Sequence, residues 1–285
     1  MTLRAAAAVI VTALLVATSG CGGSGKQTAR VLYAGSLVNL MEKQVGPAFA
    51  SATGFGYQGY SAASQQIANS IESKVRAGDV FIAASTAVND TLTGPANGGW
   101  ESWYATFGSA PLVLGYSPSS KYAAQLRDGR WYDALRQPGI RIGVTDPLLD
   151  PKGELTIAAL DAAQRDYHLP AGYSAAIQKK AADFPEQELL GRLQSGQLDV
   201  GFFYTSEAMP AHLHTVTLGK VHEAATYTVT VLEHAKDPRA ATAFVRYLLT
   251  TARPTLTAGG IEMQAPSVSG DAAAVPASLR SLLTR

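Results

Sequence analysis

Two serines stand where a predicted strand gives way to a predicted helix. Gly35 and Ser36 follow the apolar run 30–34, and Ser64 follows the segment 57–60. A hydroxyl at such a junction can cap the helix, or it can face an anion together with the free N–H groups of the first turn. For either serine alone, capping is the simpler interpretation. Two such junctions at neighbouring strand ends would form an anion-binding cup without any basic side chain.

Hydrolytic chemistry has little support in the sequence. No serine has glycine at both second-neighbour positions, as the nucleophile elbow of an α/β-hydrolase requires, and no lysine has a serine three residues before it. A hydrolase with Asp146, Asp150 and Glu154 as acid and base stays open as an alternative. Asp-Pro repeats such as those around these residues are, however, common elements of turns and helix entries.

Three histidines lie close together near residue 215, and imidazole is a frequent metal ligand. Alternate residues of a strand share a face, so His212 and His214 could bind a metal ion together. No cysteine accompanies them or His222, and histidines in a polar loop are more often solvated. A metal-binding receptor is therefore kept as an alternative.

Composition limits the class of protein. The chain has 285 residues, of which 47% are hydrophobic, so it can bury a core in one large domain or in two lobes. The 23 Lys and Arg residues against 22 Asp and Glu residues leave no basic excess to hold a phosphate backbone. We expect no nucleic-acid partner.

The N-terminal residues are typical of an export signal. Arg4 precedes an apolar run, 5–17, that is too short to span a bilayer comfortably. Small residues then precede the single cysteine, Cys21, in a pattern that resembles the lipobox of bacterial lipoproteins. This predicts a signal peptide over 1–20, a tether over 21–27, and a lipid anchor on Cys21 that holds the protein at the outer face of the cell membrane. An ordinary signal peptide cut nearby is the alternative.

The elements that must position these residues alternate between short apolar strands and helical segments, which is typical of an α/β fold. We expect a kink at Pro47 in the first helix. The predicted strands are 30–34, about 57–60, 79–84, 111–116, 140–145, 200–204 and 227–233, and the predicted helices include 37–49, a helix through Ile67 and Ile71, 154–165, 186–194 and 238–249.

An ordered series of motifs covers most of the chain. It begins with VLYAGSL at 31–37 and with Ser64 ahead of Asp79-Val80, continues with TDPLLDPKG at 145–153 and LDVGFFYTS at 198–206, and ends near Val275-Pro276. The series resembles the molybdate/tungstate-binding proteins of ABC importers, especially the branch first described as tungstate binders.

The resemblance implies a two-lobed, type II periplasmic-binding-protein-like fold with a hinge and a ligand cleft between the lobes. Lobe 1 would comprise 28–112 and 223–285, and lobe 2 would comprise 113–222. Such lobes close by hinge motion on a ligand held at strand ends and helix N-termini.

The resemblance also implies the ligand-binding residues. Ser36 and Ser64 would bind the oxyanion from lobe 1, and Asp150 and Tyr204 would bind it from lobe 2. In the tungstate-type branch the motif's aspartate coordinates the metal centre of the oxyanion directly, with help from a glutamate near the Tyr-x-Ser strand. We expect no other metal and no cofactor.

Some residues differ from that family pattern. Phe203 and Thr205 flank the tyrosine, and the nearest glutamate is Glu207, three residues beyond it. A carboxylate repels a dianion unless it bonds the metal centre or carries a proton, so Asp150 has an alternative role as the cap of the helix predicted near residue 154. Lys152 could offset charge locally, but a solvated loop lysine is the simpler expectation.

The function implied by the resemblance is that of a non-catalytic receptor. It would act as a monomer and deliver molybdate or tungstate to a membrane permease driven by a separate ATPase. The alternative ligand within the same class is another anion, such as sulfate, because the hydrogen-bond donors needed are similar.

Overall fold

The computed structural model describes residues 26–284. The strands are β1 Thr28–Ala34, β2 Gly56–Ala62, β3 Val80–Ile82, β4 Trp103–Tyr116, β5 Ile142–Val144, β6 Ala182–Asp183, β7 Val200–Tyr204, β8 His214–Thr217, β9 Ala224–Val231 and β10 Glu262–Gly270. The helices are α1 Val38–Leu40, α2 Gly46–Thr53, α3 Ser64–Glu72, α4 Thr86–Asp90, α5 Ala123–Arg127, α6 Trp131–Ala134, α7 Pro151–Asp166, α8 Tyr173–Lys180, α9 Glu186–Gln194, α10 Thr205–Ala208, α11 Pro238–Leu249 and α12 Arg253–Ala258.

The strands form one mixed sheet in the order β2-β1-β3-β9-β4-β7-β5-β6, with β10 and β8 also paired to β4. Strand β4 changes its principal partner along its length: residues 105–111 pair with β9, and residues 112–116 pair with β7. We call the part of the sheet on the β9 side half A and the part on the β7 side half B. Strands that are covered by helices on both faces read as continuous apolar runs, as residues 31–34 of β1 and the whole of β7 do.

Helix α11 shows how the sequence pattern positions the core. Its apolar residues recur at helical spacing and are buried, and the helix packs against β1. Phe244 of α11 meets Phe49 of α2 edge to face, with ring centroids 5.1 Å apart. The helix has the bounds predicted from the sequence.

The first helical segment, in which a kink at Pro47 was predicted, is not one uniform α-helix. A 3₁₀ turn at Gly35–Leu37 leads into α1, and a π-helical turn at Met41–Val45 precedes α2, so the backbone stays helical past Pro47. Pro47 lies in the first turn of α2, where its missing N–H matters least. The π turn before it replaces the α-helical hydrogen-bond spacing with a wider one.

Other elements begin or end away from their predicted bounds. Helix α7 begins at Pro151 rather than near residue 154, and the predicted strand 111–116 is only the second half of β4. Within residues 26–284, no helix is both long enough and apolar enough to cross a bilayer.

Candidate functional site

Sheet topology brings the two serines of half A together. Strands β1 and β2 are parallel neighbours, and Ala34 lies opposite Ala62 in their register. Ser36 and Ser64 each lie two residues beyond these positions, so both emerge at the same edge of the sheet, where ligands of open α/β sheets bind. Both side chains are buried.

Neither serine caps a helix. Ser36 lies inside the 3₁₀ turn, and its Oγ is 2.8 Å from the hydroxyl of Tyr227 on β9. The Oγ of Ser64, the first residue of α3, accepts a hydrogen bond of 3.1 Å from the N–H of Ala84. A hydroxyl that accepts can still donate its own proton, so Ser64 can also donate to a ligand. The capping interpretation was therefore wrong for both serines.

The two carboxylate oxygens of Asp150 differ in their hydrogen bonding. Its Oδ1 accepts from the N–H of Lys152 at 2.9 Å and so caps α7, as the alternative interpretation proposed. Its Oδ2 is buried and finds no hydrogen-bond partner within residues 26–284. The preceding residue, Leu149, accepts at 3.2 Å from the N–H of Gln65 on α3, which places Asp150 close to the Ser64 junction.

Tyr204 ends β7, opposite Leu112 of β4. Its side chain is fully buried, and its hydroxyl has no hydrogen-bond partner in the described part of the chain. Burial, followed by the nearby negative charge of Asp150, raises the pKa of Tyr204 well above its ordinary value. The phenol is therefore protonated and can act as a hydrogen-bond donor.

Lys152 is buried, and the expectation that it is a solvated loop residue was wrong. Only 1% of its side chain is exposed, and its Nζ lies 2.8 Å from Glu207 Oε1 and 3.5 Å from Glu186 Oε1. Because α7 starts at Pro151, Lys152 belongs to the first helical turn, where it faces these two carboxyl groups instead of solvent. Its pKa is raised above the ordinary value: the nearby carboxylates, Glu207 first, outweigh the lowering effect of burial.

Glu207 uses both of its carboxylate oxygens within the protein. Oε1 accepts from Lys152, and Oε2 accepts from the N–H of Tyr204 at 2.9 Å, so the first turn of α10 satisfies the backbone N–H of its own N-cap residue. Glu207 therefore stabilises the end of β7 and the position of Lys152, and it presents no unused oxygen to a ligand.

Glu186 is the site residue that the sequence analysis missed. It begins α9, it is buried, and its Oε2 lacks a hydrogen-bond partner anywhere between residues 26 and 284. A Cβ atom added to Gly35 would lie 2.3 Å from this oxygen, so the carboxyl group packs directly against the turn that carries Ser36. The sequence shows only a glutamate in the first turn of a helix, which is common because of the helix dipole.

Thr145, just after β5, completes a set of four buried polar atoms that have no partner within the described residues. All four belong to segments of half B, and two of these segments contact the serine junctions of half A, at Gly35 through Glu186 and at Gln65 through Leu149. A cavity of about 340 Å³ opens between Ala63 and Gln66 on one side and Thr145, Asp150 and Glu186 on the other. Buried polar groups are nearly always paired, so this set indicates a site for a polar ligand.

Several further contacts join the two halves around this site. Ser206 of α10 and Ser36 both bond the Tyr227 hydroxyl, at 2.7 and 2.8 Å. Thr205 donates to the carbonyl oxygen of Gly260 at 2.6 Å. The structure therefore has the cleft closed. Of the sequence-predicted residues, Asp150 lines the cavity and Ser64 directly follows the lining residue Ala63, whereas Ser36 and Tyr204 are buried outside the cavity wall.

The alternative sites do not come together in the structure. Asp146 uses Oδ1 to accept from the N–H of Leu148 in a turn, and Glu154 is exposed on α7, so the three acids do not converge. The three histidines near residue 215 are exposed, and residues 26–284 hold no group of three potential metal ligands.

Comparison with known proteins identifies the family. A family profile described as bacterial extracellular solute-binding protein matches residues 29–262, which is most of the chain. The chain belongs to this family. A Haloferax volcanii relative, provisionally named an ABC transporter molybdenum-binding protein, is 32% identical over 199 residues, which cover 68% of this chain and 61% of the relative. The chain thus spans less than two thirds of that relative's length.

Other relatives agree with the resemblance seen in the motifs. The molybdate/tungstate-binding protein WtpA of Thermococcus kodakarensis is 24% identical over 199 residues, covering 52% of this chain and 56% of WtpA. The resemblance to molybdate/tungstate-binding proteins is confirmed. The family is one of transport binding proteins rather than enzymes.

Solved structures support the two-lobed fold. The periplasmic molybdate-binding protein of Azotobacter vinelandii superposes with a TM-score of 0.64 at 19% identity, covering 83% of this chain and 99% of the other. The sulfate-binding protein SubI of Mycobacterium tuberculosis gives 0.65 at 16% identity, covering 91% and 92%. At these identities the likeness shows the fold alone, and it confirms the periplasmic-binding-protein-like architecture. The predicted signal peptide and Cys21 lie outside the described residues.

Proposed function

We propose that this solute-binding protein captures molybdate or tungstate between two lobes and delivers it to the permease of an ABC importer. The observation that carries the proposal is the set of four buried polar atoms that have no partner within residues 26–284, three of them on residues that line the cavity between the two halves. The names of the Haloferax and Thermococcus relatives support the choice of ligand. Lobe 1, 28–112 and 223–285, would be built on half A, and lobe 2, 113–222, on half B.

The hydroxyl groups supply the hydrogen bonds that a tetrahedral oxyanion needs. Ser36 and Ser64 donate from lobe 1 beside the free N–H groups at the start of their helical segments, and Tyr204 and Thr145 donate from lobe 2. Ligand oxygens accept these hydrogen bonds, so binding satisfies groups that closure would otherwise leave unpaired. Both lobes contribute, and this makes closure of the hinge depend on the ligand.

Asp150 is the remaining member of the proposed ligand set. Its Oδ1 is committed to the α7 cap, whereas Oδ2 is unpartnered within the described residues. A carboxylate repels a dianion unless it bonds the metal centre or carries a proton. Glu207 has no unused oxygen, so of the two it is Asp150 that would approach the metal centre.

The N-terminal segment suggests where the protein works. We propose that Cys21 is lipidated after removal of residues 1–20, and that residues 21–27 tether the lobes to the outer face of the cell membrane. Mass spectrometry of the membrane-extracted protein would show a diacylglyceryl-modified N-terminal Cys21. An unmodified N-terminus elsewhere would contradict lipid anchoring without affecting the proposed ligand.

Isothermal titration tests the ligand directly. The chain without residues 1–25, which retains every described helix and strand, is titrated at neutral pH with molybdate, tungstate and sulfate in turn. We expect one-to-one binding of molybdate and tungstate and much weaker binding of sulfate, because a closed cleft selects by size. No heat with molybdate or tungstate would overturn the proposal, and tight binding of sulfate alone would favour a sulfate receptor.

A further inference from the structure

The closed cleft holds more negative charge than Lys152, the one buried cation among residues 26–284, can balance. Asp150, Glu186 and Glu207 surround Lys152, and all four side chains are buried. Three carboxylates and one ammonium group would carry a net charge of −2, and a bound dianion would bring the total to −4. Uncompensated charge in a buried site is costly, and a nearby group takes up a proton instead. The question is which group does so.

Hydrogen bonding distinguishes the three carboxyl groups. Glu207 accepts from the Lys152 ammonium group and from the Tyr204 N–H, and Asp150 accepts from the backbone N–H of Lys152. Hydrogen bonds from N–H donors stabilise the negative charge of a carboxylate, although burial still raises the pKa of Glu207 above its ordinary value. Glu186 has only a 3.5 Å contact with Lys152 through Oε1, and its Oε2 is unpartnered within the described residues. Its negative charge is therefore the least stabilised of the three.

The surroundings of Glu186 also favour its protonated form. Burial, followed by the charge of Asp150, raises the pKa of Glu186 well above its ordinary value, and the Lys152 ammonium group offsets this only in part. On the side of half A, the carboxyl group meets the uncharged turn at Gly35. Several other titratable or charged groups lie around it. They are Asp150 at the N-cap of α7, Lys152 on α7, Tyr204 on β7, Glu207 on α10 and Tyr227 on β9, together with Asp146 and Asp183 at the cavity.

We propose that Glu186 couples ligand capture to proton uptake: when the lobes close on the dianion, the Glu186 carboxyl group is protonated, and its O–H donates a hydrogen bond to a ligand oxygen. The proton comes from solvent and returns to it when the cleft opens. The inference rests on the proposed function in one respect, which is that the cleft binds a dianionic oxyanion. Glu186 thereby becomes a positioning and specificity residue that favours ligands whose oxygens only accept.

Proton uptake is measured by titrating molybdate into the chain without residues 1–25 in Tris and in PIPES at the same pH, because the two buffers differ in ionisation enthalpy. The dependence of the observed enthalpy on that difference gives the number of protons taken up, and we expect about one at neutral pH. The dissociation constant should then rise about tenfold for each pH unit above neutral. Binding without proton uptake would overturn the inference, whereas no binding at all would overturn the proposed function instead.

The variant Glu186→Gln tests the assignment to this residue. The amide is neutral and supplies an N–H donor, so we expect binding to persist, with no proton uptake and with an affinity independent of pH. Glu188→Gln, an exposed glutamate on the same helix, is the matched control and should behave like the unaltered chain. Proton uptake that survives in Glu186→Gln would overturn the assignment, as would loss of binding in a variant whose thermal melt shows it folded. If Glu186→Gln does not fold, the result from the unaltered chain still decides whether a proton is taken up.

Discussion

Two buried acidic clusters in this protein are satisfied in opposite ways. In the Glu101 network of half A, Asn89 and Thr93 donate to the two oxygens of Glu101 at 3.2 and 3.0 Å, and Thr228 donates to the Asn89 side chain at 2.6 Å. In the cleft cluster, which comprises Thr145, Asp150, Lys152, Glu186, Tyr204 and Glu207, four polar atoms have no partner among the described residues.

The difference is one of completeness. A fully connected buried network stabilises one arrangement of the chain, whereas an incompletely paired one loses stability unless another molecule completes it. Both carboxylate oxygens of Glu101 have a donor within the protein. For the cleft cluster, we propose that the molecule that completes it is the ligand.

The largest effect is expected when the cation of the cleft cluster is removed. Lys152→Met leaves Glu207 and Glu186 buried without a counter-charge, so the free energy of unfolding should fall by about 3–5 kcal/mol. Urea denaturation measures the loss, and Lys179→Met, at an exposed position on α8, is the control. A loss below about 1 kcal/mol would mean that the carboxyl groups do not depend on this cation.

The Glu101 network predicts a pH dependence of stability. Burial raises the pKa of Glu101 to about 8, so between the usual carboxyl range and pH 8 the unfolded chain releases a proton that the folded chain keeps. Stability should therefore fall as the pH rises through this interval, by up to about 1.4 kcal/mol per unit.

Unfolding curves at pH 5 to 8 for the unaltered chain and for Glu101→Gln isolate this contribution. The variant should lack the part of the slope that Glu101 causes, because its amide does not titrate. An identical dependence of stability on pH in both proteins would show that Glu101 is ionised in the folded chain. The contrast between the Glu101 network and the cleft cluster would then fail.

Removal of single hydroxyls from half A should weaken ligand binding. Ser36→Ala and Ser64→Ala each remove a donor to a charged ligand, which should cost about 1–3 kcal/mol, or about 5- to 150-fold in affinity. Titration with molybdate measures the change, and Ser278→Ala, at an exposed position, is the control. Unchanged affinity in both cleft variants would remove the serines from the site.

Removal of one hydroxyl from each cluster is the smallest change expected to affect the two clusters differently. Thr228→Val leaves the Asn89 oxygen unpaired and should lower the free energy of unfolding by about 1–2 kcal/mol without changing ligand affinity. Tyr204→Phe removes a hydroxyl that has no partner within the described residues, so it should leave the stability of the ligand-free protein unchanged or raised and should weaken binding. If Thr228→Val weakened ligand binding and Tyr204→Phe only lowered stability, the assignment of a structural role to the Glu101 network and a binding role to the cleft cluster would be contradicted.

The sequence pattern placed Ser36 and Ser64 after recognisable apolar strands, and the order of the motifs indicated the family. The family resemblance implied Asp150 and Tyr204, and the binding roles of all four residues remain predictions. Glu186 was missed because it packs against the turn at Gly35, which is distant from it in the chain. Lys152 was misjudged because its burial depends on the carboxyl groups of α9 and α10.

Prediction of the strands from sequence was limited in the same way. Central strands such as β1 and β7 were predicted because burial makes them apolar. Strand β10, by contrast, contains only exposed and partly buried residues and resembles a loop in composition. The first half of β4 was missed as well, and a register shift near Gly108 interrupts its pairing with β9.

A crystal structure of the chain without residues 1–25, grown with tungstate and measured at a tungsten absorption edge, tests the central claim most directly. The account predicts a single strong anomalous peak in the closed cleft, within hydrogen-bonding range of Ser36, Ser64 and Tyr204. An empty cleft at saturating tungstate, or a peak bound elsewhere on the surface, would contradict the claim that the unpaired atoms of the cleft cluster form an oxyanion site.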